Sequence, residues 1–491
     1  MDRISSSSPS LTRWILRGAF QYGSVFGTIV AILTTYINAA DSGAAQLSLA
    51  DSQLLYLYLF AFYGTMGAVC AAGGYVVTQV LSKLIRVDLN LPLLFTFLWF
   101  WPLLIITMLP DIAILSPYPF EYFWHTLHWP FQLLAIAVIS TLFVLLYFAL
   151  IRPLRIESIG LNSNLFNVFL FVLGIAAVAV ANSHISHQNY DLESPSPVSP
   201  LAIGSASPLI VIGVDGLGKA AIDKHSTEVL PNLKHIFGSS CAYSLDGHYP
   251  GLTPKKWPVI TTGARSRETG VHFYFSYKLP GLKSSIQRWP LETLTSLTAL
   301  MYVDKYIDIA ERMNCAHHLK AEPVWKEIEQ RGLHASTVCW PNSKNCLEET
   351  TKHTTSCPKG DWTSTERIKE IADDALASIK SGHDLVMVYF SQLDTVSHDS
   401  CRESGDSAEV EQVIREIDRN IGRLISALPE SGAVMIVSDH GFDYSICTHV
   451  LGVPAVAIVW KKQGDLNCVG PDSELSLRSI APTIKELLLS N

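Results

Sequence analysis

Three short apolar runs in the second half of this 491-residue chain each lead to side chains that can bind metals or carry protons. The runs are Leu209–Val214, Leu385–Phe390 and Ala433–Val437, and the side chains that follow them are Asp215, Asp394, Asp439 and His440. A buried parallel strand delivers the residues after it to the carboxyl edge of its sheet, where α/β proteins keep their sites. The pattern therefore predicts three buried strands whose acids and histidine meet at one edge.

Each of these residues also has an ordinary structural explanation. An aspartate after a strand is often a helix cap or a turn former, and taken alone it indicates nothing more. Asp394 and His398 are four residues apart, so on one helical turn they would share a face and could hold one ion. An isolated pair of this kind is more often surface decoration. Asp439 and His440 form the stronger pair, because adjacent ligands at a strand end can point to one centre. Only the combination of all these residues indicates a metal site.

The elements between the strands complete the picture. Helical segments at about 321–331, 364–380 and 407–428 alternate with the strands, which predicts a doubly wound α/β domain. The segment GLTPKKWPVITTGARSRETGV, at 251–271, contains Thr253 nine residues before Thr262 and Gly263. We expect Thr253 on a loop between two strands, with Thr261 and Thr262 where the second strand passes into a turn.

The segment 251–271 resembles the type I phosphodiesterase/nucleotide pyrophosphatase family of the alkaline phosphatase superfamily. That family places a Thr or Ser nine residues before a Thr-Gly pair and follows it with a G-[IV] motif, here Gly270 and Val271. The resemblance continues along the whole second half of the chain, in AEPVWKEIEQRGLHASTVCWP (321–341), SDHGF (438–442), THVLGVPAVAIVW (448–460) and SIAPTIKELL (479–488).

The resemblance implies an alkaline-phosphatase-like fold with two divalent metal ions, zinc first and manganese second. One ion would be held by Asp215, Thr253, Asp439 and His440, and the other by Asp394, His398 and His449. Carboxylate oxygens and imidazole nitrogens are ligands that such ions accept. Thr253 would be the nucleophile, forming a phosphothreonine that water or another alcohol resolves.

The sequence departs from the nucleotide pyrophosphatases just beyond the G-[IV] motif. Their phosphate-binding Asn is replaced by Tyr274, close to His272, which argues against nucleotide substrates. Lys255 and Lys256, beside Thr253, are further candidates for contact with a phosphoryl oxygen. The alternative for both lysines is a solvated position on a loop.

The first half of the chain has the composition of a membrane domain. Five charge-free apolar stretches lie at about 18–40, 54–81, 91–109, 131–151 and 164–183, each about as long as a membrane-spanning helix. All seven Lys and Arg residues before residue 184 fall on one side of the predicted spans. This asymmetry predicts a cytoplasmic N-terminus and a catalytic half that is periplasmic, extracellular or, in a eukaryote, lumenal. A cleaved signal peptide is the alternative for the first stretch.

The expected domains are therefore an α-helical membrane domain at 1–183, a Ser/Pro-rich linker at 184–208 and an alkaline-phosphatase-like catalytic domain at 209–491. The composition agrees, with 48% hydrophobic and only 16% charged residues and a mean hydropathy of +0.25. The net charge of −8 falls on the second half, which lacks a basic run, so nucleic acid is not an expected partner. Eight of the nine cysteines lie there and suit disulfides, although no pairing can be assigned.

Together these features predict a membrane-anchored, two-metal phosphodiesterase or phosphotransferase that works outside the cytoplasm. Its expected partners are the lipid bilayer and a phosphate ester, lipid-linked or from the cell envelope, because a freely diffusing substrate gives little reason for a membrane tether. The alternatives are a phosphomonoesterase on the same metal pair and a non-catalytic membrane receptor on a hydrolase fold. The sequence does not indicate an oligomeric state.

Overall fold

The computed structural model divides the chain into two compact units. The first comprises Met1–Tyr190 with Ser276–Arg312, and the second comprises Asp191–Phe275 with Met313–Asn491. The structure describes scattered residues between 11 and 32 and then the ranges 47–85, 163–187, 198–245, 253–271, 275–283, 311–314, 319–341, 343, 353–359, 361, 363–404, 408–443, 453–469 and 476–490.

The helices and strands of these ranges are numbered in chain order. The helices are α1 (Leu49–Ile85), α2 (Ser163–His187), α3 (Lys219–Lys224), α4 (Pro231–Gly238), α5 (Thr253–Thr262), α6 (Ser266–Thr269), α7 (Val324–Gln330), α8 (Thr365–Lys380), α9 (Gln392–Ser404), α10 (Ala408–Ala427) and α11 (Ile480–Leu489). The strands are β1 (Ala202–Ile203), β2 (Leu209–Val214), β3 (Cys241–Leu245), β4 (Phe275–Lys278), β5 (Glu311–Asn314), β6 (Ala335–Val338), β7 (His353–Ser356), β8 (Leu385–Phe390), β9 (Ala433–Val437), β10 (Ala455–Lys461) and β11 (Asn467–Cys468).

In the first unit, α1 packs against α2 and against a segment from the second half of the chain. Aromatic rings join the two helices, with the Phe60 and Phe171 centroids 4.9 Å apart. The Tyr58 hydroxyl donates to the carbonyl of Pro280 at 2.9 Å. The insertion at Ser276–Arg312 therefore belongs with the N-terminal helices rather than with the rest of its half.

One helix of the described residues is long and apolar enough to cross a membrane. Its candidate span is Leu49–Gly73, with a mean hydropathy of 1.6, and it overlaps the predicted span at 54–81. A buried helix of a soluble protein can pass the same test, so this helix does not establish a membrane domain. The predicted span at 164–183 lies within α2, whose described apolar part, Val168–Val180, is shorter. The predicted spans at 91–109 and 131–151 lie outside the described residues, and that at 18–40 is described only in part.

The second unit is built on a seven-stranded mixed sheet in the order β3-β10-β9-β2-β8-β6-β7. Strands β9, β2, β8, β6 and β7 run parallel, while β10 runs antiparallel to both β9 and β3. The three strands predicted from sequence are adjacent at its centre. Because all their residues are buried, helices cover both faces, as in a doubly wound sheet.

Alternate residues of each central strand face opposite layers of helices. In β2, Ile210 and Ile212 pack with residues of α3, α4, α8 and α10, whereas Leu209 and Val211 pack with residues of α5, α7 and α11. The amphipathic pattern of α10 follows the same logic, with Val410, Ile414, Ile417, Ile421 and Leu424 among its buried residues. The result is a three-layer α/β/α domain with two apolar cores.

The prediction of a loop and a strand around Thr253 is wrong, because residues Thr253–Thr262 form helix α5. The run Val259–Thr262 is rich in β-branched residues, which favour strands when taken alone. In the fold, Trp257 and Ile260 are fully buried on the face of the sheet, and this packing overrides the local preference. Thr261 and Thr262 are thus the last helical residues, and Gly263 donates its N–H to the Val259 carbonyl at 2.8 Å.

Among the residues that the structure describes, two disulfides tie peripheral segments to the sheet. Cys241 of β3 pairs with Cys468 of β11 across 227 residues of sequence, and Cys339, just after β6, pairs with Cys357, just after β7. The end of the predicted linker, residues 184–208, is not the linker that the composition predicts. Leu201 and Ala202 are buried in the second core, because β1 pairs with β11 and carries these apolar side chains under α11.

Candidate metal-binding active site

Three of the predicted ligands converge at the carboxyl edge of the sheet. Asp215 directly follows β2, and Asp439 and His440 follow the neighbouring β9 after one residue. The Nε2 atom of His440 lies 3.2 Å from Asp215 Oδ1 and 3.4 Å from Asp439 Oδ2. All three side chains are buried, and one ligand atom from each lies within 4.8 Å of the others.

The hydrogen bonds of His440 determine which ring nitrogen faces this cluster. Its Nδ1 lies 3.2 Å from the carbonyl oxygen of Gly441, which can only accept a hydrogen bond. Nδ1 is therefore assigned the proton, and Nε2 keeps its lone pair. A neutral imidazole held in this way is the form that binds metal ions.

Thr253, the first residue of α5, contacts this cluster through His440. Its hydroxyl lies 3.1 Å from His440 Nε2, and its side chain is 7% exposed. As the first residue of α5, Thr253 also stands at a helix N-terminus, whose unpaired N–H groups favour an anion. The structure thus brings the predicted nucleophile together with one predicted ligand set.

Asp394 and His398 share one face of α9, as predicted. His398 Nε2 lies 3.6 Å from Asp394 Oδ1. Asp394 also lies against the turn that carries Asp215, because a Cβ added to Gly216 would stand 3.1 Å from the Asp394 Cβ. A glycine is needed at residue 216 for this close approach, and its φ of 75° suits it as well.

The pKa values of the buried groups reflect a site short of positive charge. Burial raises the pKa of Asp439 to about 7, and the charge of Asp215 adds to the rise. Burial also raises the pKa of Asp394 well above its usual range, with further contributions from the charges of Asp215 and Asp439. For His440, burial lowers the pKa to about 4. Without bound metal, these raised pKa values favour the protonated forms of Asp394 and Asp439, while His440 stays neutral at pH 7.

Lys256 is a buried cation beside this cluster. It is 5% exposed, three residues after Thr253 in the first turn of α5, and it interacts electrostatically with Asp439, Asp215 and Asp394. Burial lowers the pKa of its ammonium, and these carboxylates oppose the shift. Its neighbour Lys255 is more exposed, so the two candidate phosphate contacts differ in their surroundings.

The residues present fit a bound divalent cation. Asp215 Oδ1, Asp394 Oδ1 and both carboxylate oxygens of Asp439 are buried and accept no hydrogen bond from the described residues. Two of these oxygens, Asp215 Oδ1 and Asp439 Oδ2, face the lone pair of His440 Nε2. All three atoms are acceptors, so a bound cation or added protons are needed to stabilise them in this buried position. Carboxylate oxygen and imidazole nitrogen are a donor set typical of zinc and manganese.

Sequence reasoning missed the aromatic groups that support the site. The Tyr389 hydroxyl donates a hydrogen bond to Asp215 Oδ2. The Tyr389 ring packs edge-on against Trp257 of α5, with ring centroids 4.9 Å apart. The sequence places Tyr389 only in an apolar run and Trp257 only in the segment 251–271, since nothing in a local pattern tells a core aromatic from one that touches an acid. The remaining predicted site residues, His449, His272 and Tyr274, lie outside the described residues.

The second half of the chain matches a known family. The model of the family described as type I phosphodiesterase / nucleotide pyrophosphatase matches residues 209–456, just over half of the chain. The match includes Asp215, Thr253, Asp394, His398 and the pair Asp439 and His440.

Shorter similarities connect the chain to curated proteins. The 2,3-bisphosphoglycerate-independent phosphoglycerate mutase of Roseobacter denitrificans is 35% identical over 74 residues, which are 15% of this chain and 14% of that protein. The corresponding mutase of Wolinella succinogenes is 30% identical over 132 residues, 24% of this chain and 25% of that protein. The chain thus spans a quarter or less of the length of these relatives.

Among solved structures, the PH0037 protein from Pyrococcus horikoshii aligns over 58% of this chain and 97% of its own, with a TM-score of 0.38 and 15% identity. Phosphonoacetate hydrolase from Sinorhizobium meliloti 1021, in complex with phosphonoacetate, aligns over 50% of this chain and 60% of its own, with a TM-score of 0.36 and 15% identity. Murine ectonucleotide pyrophosphatase / phosphodiesterase 5 aligns over 48% of this chain and 57% of its own, with a TM-score of 0.33 and 20% identity.

Proposed function

Because the chain belongs to the type I phosphodiesterase / nucleotide pyrophosphatase family, we propose that its second half is a two-metal phosphodiesterase or phosphotransferase with Thr253 as the nucleophile. One observation carries the proposal. The Thr253 hydroxyl lies 3.1 Å from the lone-pair nitrogen of His440, and that nitrogen faces two buried carboxylate oxygens, Asp215 Oδ1 and Asp439 Oδ2, which accept no hydrogen bond from the described residues. A structural threonine has no need of such surroundings, whereas a nucleophile beside a cation does.

The proposed ligands form two sets. Asp215, Thr253, Asp439 and His440 would hold one ion, and Asp394, His398 and His449 the other. Divalent cations bound there would make the Thr253 hydroxyl more acidic and stabilise negative charge on the leaving oxygen. Zinc is the first candidate and manganese the second, on the donor set alone.

The residues of this chain would perform the reaction in two displacements. Thr253 Oγ attacks the phosphorus, and its new O–P bond forms as the bond to the leaving alcohol breaks. His440 orients the attacking hydroxyl, and Lys256, three residues further along α5, adds positive charge for the phosphoryl oxygens. Water or a second alcohol then displaces Thr253, which makes the enzyme a hydrolase or a transferase.

For the substrate we propose a phosphate ester of the cell envelope or of a lipid. The apolar helix α1 supports a membrane tether, and a tethered site meets substrates at the bilayer. Tyr274, in the place of the family's phosphate-binding Asn, argues against nucleotides. A phosphomonoesterase on the same residues is the second candidate, because the buried charge of Lys256 suits a dianionic phosphoryl group.

The direct test is a panel of aryl phosphate monoesters and diesters, assayed on the full chain in detergent with zinc or manganese added. We expect metal-dependent release of the aryl alcohol, and the ratio of diester to monoester turnover distinguishes the two candidates. No turnover of any ester with either metal would contradict the proposal.

Thr253→Ala tests the nucleophile. We expect turnover to fall at least about 10³-fold, or ~4 kcal/mol of transition-state stabilisation, because the attacking oxygen is lost. Thr253→Ser keeps that oxygen and should retain substantial activity, and a phosphorylated peptide containing residue 253 should be trapped from the wild type. Thr261→Ser and Thr262→Ser are the matched controls. Turnover of Thr253→Ala at the wild-type level would overturn the assignment.

A further inference from the structure

The two carboxylate oxygens of Asp215 have different partners. Oδ2 accepts the hydrogen bond from the Tyr389 hydroxyl, in a pair that is buried on both sides. Oδ1 has no hydrogen-bond donor among the described residues and lies 3.2 Å from His440 Nε2. The Tyr389 hydroxyl thus holds Oδ2 by a hydrogen bond, whereas Oδ1 remains available to a metal ion.

The Tyr389 ring is itself held in place. It packs edge-on against Trp257, which packs edge-on against Trp340 at 5.2 Å between ring centroids. Trp340 Nε1 donates to Thr261 Oγ1 at 2.9 Å. Gly213 makes room for this stack, because a Cβ there would stand 2.8 Å from the Trp257 ring. The hydroxyl of Tyr389 is therefore presented to Asp215 from a rigid aromatic cluster.

We propose that Tyr389 is a positioning residue that fixes the rotation of the Asp215 carboxylate and leaves Oδ1 as the one oxygen offered to a metal ion. Without the hydroxyl, Asp215 can turn about its side-chain bonds, and Oδ2 loses the hydrogen bond from Tyr389. Groups that hold a metal-binding side chain in this way typically change metal affinity or activity by about 10–100-fold. The inference rests on the proposed role of Asp215 as a metal ligand.

Tyr389→Phe isolates the hydroxyl, because the ring and its contact with Trp257 remain. The measurement is zinc affinity of the metal-free full chain in detergent, by competition with a chromogenic chelator, with zinc alone as the probe. We expect zinc affinity to fall about 10–100-fold. Turnover at limiting zinc should fall with it, and excess zinc should restore most of that loss.

Tyr243→Phe is the matched control. Its hydroxyl is also partly buried and donates to the carbonyls of Leu201 and Val469, at 2.6 and 3.0 Å, so its removal also costs hydrogen bonds. It contacts none of the predicted ligands in the described structure, and its zinc affinity should match the wild type. Near-UV circular dichroism checks that both variants are folded.

The outcomes separate the inference from the proposed function. Zinc affinity of Tyr389→Phe within about twofold of a zinc-binding wild type would overturn the role of Tyr389 and leave the proposed function standing. An equal loss in Tyr243→Phe would also overturn it, because general weakening of the fold would then explain both. A wild type that binds neither zinc nor manganese would overturn the proposed function and this inference together.

Discussion

Lys256 is a buried cation on the helical turn that begins with Thr253. It is 5% exposed and interacts electrostatically with three carboxylates, whereas Lys255 beside it is more exposed. A buried ammonium on the helical turn of the nucleophile can contact a phosphoryl oxygen without the cost of first shedding bulk water.

We predict that Lys256→Met lowers kcat/KM by about 10–150-fold, since hydrogen bonds to charged groups contribute ~1.5–3 kcal/mol. Lys255→Met is the matched variant and should have a smaller effect. Steady-state kinetics at saturating zinc measures both. Equal effects of the two substitutions would indicate that the lysines act only through the overall charge of the site.

The protonation of Asp439 gives a second prediction for single residues. Burial raises the pKa of Asp439 in the folded, metal-free protein to about 7. The protonated Asp439 carboxyl therefore stabilises the folded protein fully below its unfolded pKa of about 3.9, and this stabilisation is lost as pH rises through the folded pKa of about 7. His440 acts in the opposite sense. Its contribution is present above an unfolded pKa of about 6.5 and is lost as pH falls through its folded pKa of about 4.

Asp439→Asn isolates the carboxylate from the histidine, because the amide mimics the protonated acid. In chelator-treated protein, we expect the Tm of Asp439→Asn relative to wild type to increase between pH 5 and pH 8, where the wild type acquires a buried charge. Zinc at pH 8 should reverse the order, since the carboxylate is the better ligand. A Tm difference that is independent of pH and of zinc would contradict the assigned pKa and the metal site together.

At the scale of elements, one helix caps another across the second unit. Leu230, the N-cap of α4, provides no side-chain hydrogen bond. Instead, Asp418 of α10 accepts the N–H groups of Asn232 and Leu233, at 3.2 and 2.7 Å, and the Asn232 side-chain amide at 2.9 Å. The carboxylate thus satisfies the first turn of α4 and places a negative charge at its N-terminus.

Asp418→Ala should lower the free energy of unfolding by about 2–4 kcal/mol, because buried N–H groups of α4 lose their acceptor. Urea denaturation followed by tryptophan fluorescence measures the change. Glu411→Ala, which removes an exposed ion pair with Arg415 on the same helix, should cost only about 0–1 kcal/mol. Similar losses from both would show that α10 responds to any loss of charge rather than to the cap.

At the scale of the whole molecule, the two disulfides bear on where the second half works. Bridges such as Cys241–Cys468 and Cys339–Cys357 form and persist in oxidising compartments. An oxidising compartment is also what the charge asymmetry of the first half predicts for the catalytic half.

Reporter fusions test this topology. An alkaline phosphatase reporter is active only after export from the cytoplasm. Fused after residue 490, it should be active, because the predicted topology places that residue outside the cytoplasm. The same reporter after residue 86, in a loop predicted to be cytoplasmic, should be inactive. A reporter after residue 490 that works only in the cytoplasm would contradict the layout.

Much of the catalytic half could be predicted from the sequence, because its signals are local. The strands β2, β8 and β9 have the predicted bounds, since six or five consecutive apolar residues between turn formers have few other structures available. Local patterns also predicted that Asp215, Asp439 and His440 meet at one edge of the sheet and that Asp394 and His398 share one helical face. The spacing of Thr253 to Thr262 and Gly263 pointed to the family.

The tertiary structure decided what depends on residues distant in sequence. Helix α5 forms because Trp257 and Ile260 pack on the sheet, against the strand preference of its own residues. Strand β10 joins the sheet antiparallel, and the cysteines pair across 227 and 18 residues. The difference between Lys255 and Lys256, and the bond from Tyr389 to Asp215 across 174 residues, have the same origin. Periodicity reports which side of an element is buried, whereas the partner met on that side is set by how the elements pack.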